Sequence, residues 1–416
     1  MSAHEDGSGD WWIGRPNVQM LAVASATLLL SGLLWFNYSA VLPTVVDRWD
    51  MSGVHAGVVY GAFLAGYLLA VIPFGMLADR HAPRPVIAVG ATASAVASLA
   101  FGVVADGVLV GTVLRFLSGV GMAAVYVPGM RFVSEWFEPA TRGTAMGVYV
   151  GTFSVSSGLS FVLTSWVASG FGWRGGIVVT SLIALCAGPL IFLLGRDDPD
   201  RESNGGGIDL SLLRNRSFLA GVGVYSAHNW ELFGIRNWLP AFLVSTAAVS
   251  ATATPVATAG LLAGGVTAVG GVGNLVGGWL SDRVGRLQVI AVALAASGTS
   301  TLLLGGLAWK SLAVLAGVVL GYGFVLTMDS APTSTAITLV VDDEQLGTAL
   351  SLQAFLGTLP GTVSPVLFGA ALDAGGYTLA MPTLGVGALL GVGGVYLLWT
   401  TAGTGLQTEK QPDVAD

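Results

Sequence analysis

Long, mostly apolar runs recur along almost the whole chain and restrict the environment in which it can fold. Of the 416 residues, 53% are hydrophobic and only 10% are charged, and the mean hydropathy is +0.75. Within a bilayer the backbone must satisfy its own hydrogen bonds, so one crossing needs a helix of about 20 apolar residues. The sequence therefore predicts an all-α integral membrane protein without a separate soluble domain.

Charged or turn-forming clusters separate these runs, as in the segments 47–50 (DRWD) and 342–344 (DDE). The clusters mark where one predicted helix ends and the next begins. We predict twelve transmembrane helices, at residues 18–44, 53–78, 85–105, 107–134, 141–170, 173–195, 217–246, 256–281, 287–308, 311–340, 346–373 and 378–402.

The longest polar connection lies near the middle of the chain. Residues 196–216 read RDDPDRESNGGGIDLSLLRNR, and their Asp, Ser, Asn and Gly content is typical of a flexible linker. The predicted organisation is a tail, a six-helix half, a linker, a second six-helix half and a second tail, at residues 1–17, 18–195, 196–216, 217–402 and 403–416.

The distribution of basic residues predicts the orientation of these helices. If both termini lie in the cytoplasm, twelve Lys and Arg residues fall on that side and three on the other, with Arg115 and Arg236 inside predicted spans. Cytoplasmic loops carry the excess of Lys and Arg in membrane proteins. We therefore expect a multi-pass protein of the cytoplasmic membrane, with both termini, both tails and the linker in the cytoplasm.

Two charged turns suggest that one half repeats the other. Residues 75–84 read GMLADRHAPR, residues 278–286 read GWLSDRVGR, and their aspartates, Asp79 and Asp282, lie 203 residues apart. The tripeptide GTA at 143–145 recurs at 347–349, and the same offset, without a gap, pairs Gly172 with Gly376. Nearly equal offsets, of 203 and 204 residues, at separate places predict two six-helix repeats of parallel orientation.

These features resemble the major facilitator superfamily of secondary transporters, over roughly residues 18–402. The family's cytoplasmic signature, in outline G-x-L-x-D-R-x-G-R-R, is matched after the second span by Gly75, Asp79, Arg80 and Arg84, while Ala82 and Pro83 depart from it. The turn after the eighth span matches it too, except that Leu287 replaces the last basic residue. The matching residues of this second turn are Gly278, Asp282, Arg283 and Arg286. A third element, RFLSGVG at 115–121, looks like the family's R-x-x-x-G-x-G element of the fourth span.

The resemblance implies alternating access and gives the eight turn residues a role in gating. In that interpretation Asp79 caps or pairs with a neighbouring helix end and keeps the cytoplasmic side shut. In the alternative, the arginines only anchor helix ends at the cytoplasmic interface, which explains Arg80 and Arg84 but not the aspartate.

Glycines at four-residue spacing predict close contacts between helices. Gly53, Gly57 and Gly61 share one face of the second span, and Gly273 and Gly277 share one face of the eighth. Small residues at that spacing let helix backbones approach closely in lipid. Static packing and sliding surfaces both need such faces, so the sequence leaves the two open.

Five ionisable residues within predicted spans are the candidates for transport and coupling: Arg115, His228, Glu231, Arg236 and Asp329. Charged groups inside a membrane are costly and mark substrate or proton pathways by default. The alternative is an internal ion-pair network that only orients helices. The two arginines could hold an anion, because a guanidinium offers a carboxylate paired donors.

The position of Glu231 predicts a role in proton coupling. It lies 14 residues after Ser217 and so about 21 Å along its helix, near the middle of a tilted crossing. His228, three residues earlier on a shared face, is the expected modulator. A substrate anion that competes for a nearby arginine would let Glu231 take up a proton, which gives symport. The competing interpretation is a permanently ionised Glu231 in a structural network completed by Asp329.

Other classes of function lack their residues. The only lysines, Lys310 and Lys410, belong to no phosphate-binding G-x-x-x-x-G-K-[ST] loop, no H-E-x-x-H occurs, and Cys186 is the only cysteine. We therefore expect neither an enzyme nor a cofactor or metal site, and no nucleic-acid partner. The expected partners are a small-molecule substrate, protons and the lipid bilayer, with the monomer as the functional unit.

Two alternative functions stay open. One is a drug or metabolite efflux antiporter, although the family's antiporter element, a glycine-proline followed by paired glycines, is missing from the fifth span. The other is a non-transporting solute sensor on the same fold, although the linker and C-terminal tail are too short to form a signalling domain. Substrate identity and the direction of transport do not follow from the sequence.

Overall fold

A computed structural model describes residues 16–198, 210–342 and 345–402. Its regular elements are all helical, which confirms the all-α prediction, whereas both predicted tails and most of the predicted linker lie outside the described residues. The helices are α1 (Pro16–Gly32), α2 (Asn37–Trp49), α3 (Gly53–Arg80), α4 (Pro83–Val104), α5 (Val108–Glu135), α6 (Pro139–Leu185), α7 (Ala187–Leu194), α8 (Arg216–Ser245), α9 (Ala247–Ser250), α10 (Pro255–Val284), α11 (Arg286–Leu304), α12 (Leu312–Leu326), α13 (Ser330–Thr338) and α14 (Leu346–Thr401), with a 3-10 turn at Leu210–Arg214.

Nine segments of the described chain are long and apolar enough to cross a membrane. Two of these are 54 residues long, Thr141–Leu194 and Thr348–Thr401, and each is interrupted by a glycine with positive φ, Gly172 at 71° and Gly376 at 66°. These are the two glycines that the repeat offset pairs. α8, which carries the polar residues 228–236, is not among the nine, so the count of twelve stays a prediction.

The first and tenth predicted spans are each broken into two helices. α1 and α2 are separated at residues 33–36, and α12 and α13 at residues 327–329. Backbone carbonyls freed by such a break need new partners within the protein. Ser160 Oγ of α6 donates to Leu33 O at 2.6 Å, and Arg115 Nη1 of α5 donates to Leu34 O at 3.1 Å. Apolar periodicity alone does not reveal such breaks.

The predicted halves meet tightly at one end, which we call the closed end. There the glycine face of α3 lies directly on the backbone of α14. A Cβ added to Gly53, Gly57 or Gly61 would lie 2.4 to 2.6 Å from the backbone oxygens of Gly369, Pro365 and Thr362 respectively. α6 and α10 meet at the same end, where a Cβ on Gly260 would lie 2.1 Å from Ser165 Oγ.

α6 and α10 separate toward the other end, which we call the open end. Gly147 and Gly151 lie 11 and 7 residues before Gly158, on the face of α6 that contacts α10 at the closed end. A Cβ added to Gly147, Gly151 or Gly271 would meet no atom of the described chain within 4 Å. α6 and α10 are therefore in close contact at the closed end and apart at the open end.

Candidate substrate and coupling site

Arg115 lies beside the break between α1 and α2 with its side chain buried. Its Nη1 donates to Leu34 O at 3.1 Å and to Asn37 Oδ1 at 3.3 Å, and its guanidinium carbon lies 4.3 Å from the centre of the Phe63 ring. Nε and Nη2 have no hydrogen-bond partner. No carboxylate of the described chain lies within 4.0 Å of Arg115, so the ion-pair alternative has no support there.

Arg236 of α8 is the second arginine within a predicted span. Its guanidinium carbon lies 5.5 Å from the centre of the Phe36 ring, and it too has no carboxylate within 4.0 Å among the described residues. Its neighbour Asn237 accepts a 3.3 Å hydrogen bond from Ser39 Oγ of α2, and Nδ2 of Asn237 is buried without a partner. This contact joins the two predicted halves.

Five residues form what we call the donor cluster: Trp35, Tyr60, Arg115, Arg236 and Asn237. Trp35 Nε1 and Tyr60 Oη are also buried without hydrogen-bond partners. Trp35 and Arg115 both contact Phe63, and Tyr60 lies close enough to both arginines for a charge on its oxygen to interact with them. Every unpaired atom named here can donate a hydrogen bond. Buried donors without acceptors are costly, so the cluster suits an anionic group that supplies the acceptors.

Glu231, five residues before Arg236, is held by hydroxyl groups. It accepts hydrogen bonds from Ser297 Oγ at 2.8 Å, from Tyr322 Oη at 3.2 Å and from Thr301 Oγ1. No cation of the described chain lies within 4.0 Å of its carboxylate. None of these three hydroxyl donors was predicted from the sequence. The local signal that could have indicated them is the pair Ser297 and Thr301, four residues apart on the apolar helix α11.

His228 pairs with Asp329 rather than with Glu231. Nδ1 of His228 lies 2.9 Å from Asp329 Oδ1, its Nε2 lies 3.1 Å from Ser330 Oγ, and the Tyr225 ring stacks on it. Asp329 lies in the short break between α12 and α13, as the N-cap residue of α13, and its side chain reaches α8 from there. Its Oδ2 is buried without a partner. Three of the five candidate residues thus fall into two groups, Glu231 with its hydroxyl donors and His228 with Asp329.

The first charged turn connects helices of the N-terminal half. Asp79 lies 3.9 Å from Arg131 Nε of α5, and Arg131 also pairs with Glu135 at 2.9 Å. Arg84 pairs with Asp197 at 3.2 Å, just beyond α7. Gly75 is in ordinary contact with α5 and Arg80 is exposed.

Two contacts of the second turn are local. Asp282 lies 3.5 Å from Arg286, and Arg283 lies over the Trp279 ring, both within four residues of chain. Gly285 has φ of 105°, which explains a glycine at this point of the signature. Gly278 is in ordinary contact with Ala331.

Comparisons with known proteins agree with this architecture. A probable sulfoacetate transporter of Cupriavidus necator is 26% identical over 91% of this chain and 91% of its own. A hexuronate transporter of Bacillus subtilis is 24% identical, covering 83% of this chain and 86% of its own. The crystal structure of a bacterial homologue of the human lysosomal transporter Spinster, inward-facing and occupied, covers 96% of this chain and 100% of its own, with a TM-score of 0.75 and 16% identity.

The sequence model of the Major Facilitator Superfamily matches residues 24–271, which is more than half of the chain. The match, the helical fold and the charged turns agree with one another. The chain belongs to the Major Facilitator Superfamily.

Proposed function

We propose that this protein is a proton-coupled symporter that carries a small organic anion across the cytoplasmic membrane. Membership of the superfamily makes the chain a membrane transporter of a small solute and not an enzyme. The donor cluster is the observation that carries the choice of an organic anion. Its two arginines have no carboxylate partner within 4.0 Å in the described chain, and its unpaired atoms are all donors.

Relatives support the same class of substrate. Besides the sulfoacetate and hexuronate transporters, a gallate transporter of Pseudomonas putida and a probable L-galactonate transporter of Escherichia coli match this chain. Each of these four names refers to an organic acid. Acceptor oxygens on a carboxylate or sulfonate would satisfy the side of Arg115 that carries Nε and Nη2, which can bind two oxygens at once.

In the proposed cycle the residue halves 18–195 and 217–402 rock about the substrate, and the closed end faces outward. With both termini in the cytoplasm, the open end is cytoplasmic and the structure corresponds to an inward-open state. Contacts of α3 with α14 and of α6 with α10 then form the outer gate. In the outward-open state Asp79 and its turn would shut the cytoplasmic end, as the family resemblance implies, and the monomer completes the cycle alone.

Glu231 is the proposed proton carrier. A buried carboxylate without a cation partner is costly when ionised, and three hydroxyl donors let it alternate between charged and neutral forms without losing all its partners. Binding of the anion to the arginines would reduce the positive field at Glu231 and favour proton uptake. His228 with Asp329 modulates this exchange from the open-end side.

Uptake into proteoliposomes tests the proposal. The panel contains sulfoacetate, a hexuronate, gallate, galactonate, nitrate and an uncharged sugar, each with and without a pH gradient. We expect at least one organic anion to accumulate when a proton gradient is applied. A protonophore should abolish this accumulation. Efflux driven by inward proton movement would support the antiporter alternative, and binding without any flux would support the sensor.

A further inference from the structure

Asp373, at the closed end of α14, supplies hydrogen-bond acceptors to the start of α3 in the other half. Its Oδ1 accepts from Gly53 N at 2.7 Å and its Oδ2 accepts from Val54 N at 3.2 Å, across 320 and 319 residues of chain. The neighbouring glycines are in direct backbone contact, because a Cβ on Gly369 would lie 2.0 Å from Gly53 O. Neither charged signature turn contains Asp373.

The hydrogen bonds at the start of α3 explain why this carboxylate matters. The first four N–H groups of a helix have no partner within the helix. In α3, His55 N donates to the N-cap side chain, Ser52 Oγ, at 3.3 Å, and Ala56 N makes the first bond within the helix, to Ser52 O at 3.1 Å. The first two, of Gly53 and Val54, are the ones that donate to Asp373. An anion at this position also interacts favourably with the positive end of the helix dipole.

The position of Asp373 makes these bonds dependent on conformation. It lies just before Gly375 and Gly376, where α14 turns back, so it marks the closed end of the segment that packs on α3. Any movement that separates α3 from α14 at this end breaks both hydrogen bonds together. Asp79 lies at the opposite end of α3, so this helix has an acidic residue associated with each of its ends.

We propose that Asp373 is the latch of the outer gate, a positioning residue that stabilises the state with the closed end shut and sets how often that end opens. The inference depends on alternating access but not on the identity of the substrate. The transport rate then depends on breaking two hydrogen bonds between the halves. Weakening the latch shifts the population toward the state that is open at this end.

Cysteine labelling without any substrate tests the latch, in a Cys186→Ser background that removes the only native thiol. Ser165→Cys reports on the closed end, because Ser165 is fully buried beside Gly260 of α10. Ser154→Cys reports on the open end, because Ser154 is half-buried on the same face of α6. A membrane-impermeant maleimide applied from each side gives the two rates.

We expect Asp373→Asn to raise labelling of Ser165→Cys by about 3- to 10-fold and to lower labelling of Ser154→Cys, in line with the usual strength of a carboxylate at a helix N-terminus. Asp373→Glu should give a smaller change, since one oxygen can still reach the amides. Asp106→Asn is the matched control, because Asp106 pairs with Arg174 inside the N-terminal half. Rates equal to those of the control would overturn the latch, and so would a rise at both reporters, which indicates general loosening.

Discussion

Arg115 Nη1 donates to Leu34 O at 3.1 Å, so a single side chain both satisfies a carbonyl at the helix break after α1 and keeps two further nitrogens, Nε and Nη2, buried without a partner. Its structural and binding roles use different nitrogens. This separation makes the two roles experimentally distinguishable.

Arg115→Lys should retain the fold and lose affinity for the anion. A lysine ammonium can still donate to the Leu34 carbonyl, but it lacks the planar pair of donors that binds two oxygens at once. We expect KM for the transported anion to rise by about 10-fold or more, since a hydrogen bond to a charged group contributes about 1.5–3 kcal/mol. Arg174→Lys is the control, because Arg174 donates to the Gly102, Val103 and Ala105 carbonyls and should leave KM unchanged. Equal KM values for both variants would remove Arg115 from the binding site.

Tyr60→Phe separates a binding hydroxyl from a structural one. Tyr60 Oη is buried without a partner in the absence of substrate, so its removal should change the free energy of unfolding by less than about 0.5 kcal/mol. If the hydroxyl donates to the anion, KM should rise by about 3- to 10-fold.

The matched variant is Tyr38→Phe, because Tyr38 Oη donates to Ala56 O at 3.2 Å. It should lower the free energy of unfolding by about 1 kcal/mol and leave KM unchanged. The reverse pattern, with stability lost in Tyr60→Phe and affinity lost in Tyr38→Phe, would contradict the assignment.

The sequence predicted the all-helical membrane fold and its family because the apolar runs and the charged turns are properties of the chain itself. Gly172 and Gly376 illustrate this: their pairing followed from the offset, and both have positive φ in the structure. The site was predictable only in part. Arg115, Arg236 and Glu231 stood out as charges in apolar runs, whereas Asn237 and the three hydroxyl partners of Glu231 resemble ordinary polar residues of a membrane helix.

His228 shows why the pairing of these charges could not be predicted. Its modulation of the helical neighbour Glu231 stays a prediction, whereas its direct contact is with Asp329 from the break between α12 and α13. That contact depends on a tertiary arrangement and on a helix break that apolar periodicity does not reveal.

Gly57→Ala should prevent closure of the outer gate while allowing folding. An added methyl group would lie 2.4 Å from Pro365 O, a rigid backbone atom in the other half. We expect the initial transport rate to fall by at least about 10-fold, since overpacking of a tight contact typically costs 1–3 kcal/mol. Gly223→Ala in α8, where a Cβ meets nothing within 4 Å, is the control and should transport normally. Normal transport by Gly57→Ala would show that this contact is not part of the cycle.

Glu231→Gln tests the central claim, proton-coupled transport of an organic anion, most directly. The amide imitates the neutral acid and cannot exchange a proton, but it retains hydrogen-bonding capacity toward Ser297, Thr301 and Tyr322. The measurement is accumulation of a labelled organic anion in proteoliposomes under a pH gradient, alongside counterflow exchange at equal pH. The account predicts that the variant exchanges substrate at close to the native rate and loses uphill accumulation. Accumulation against a gradient by Glu231→Gln would contradict it.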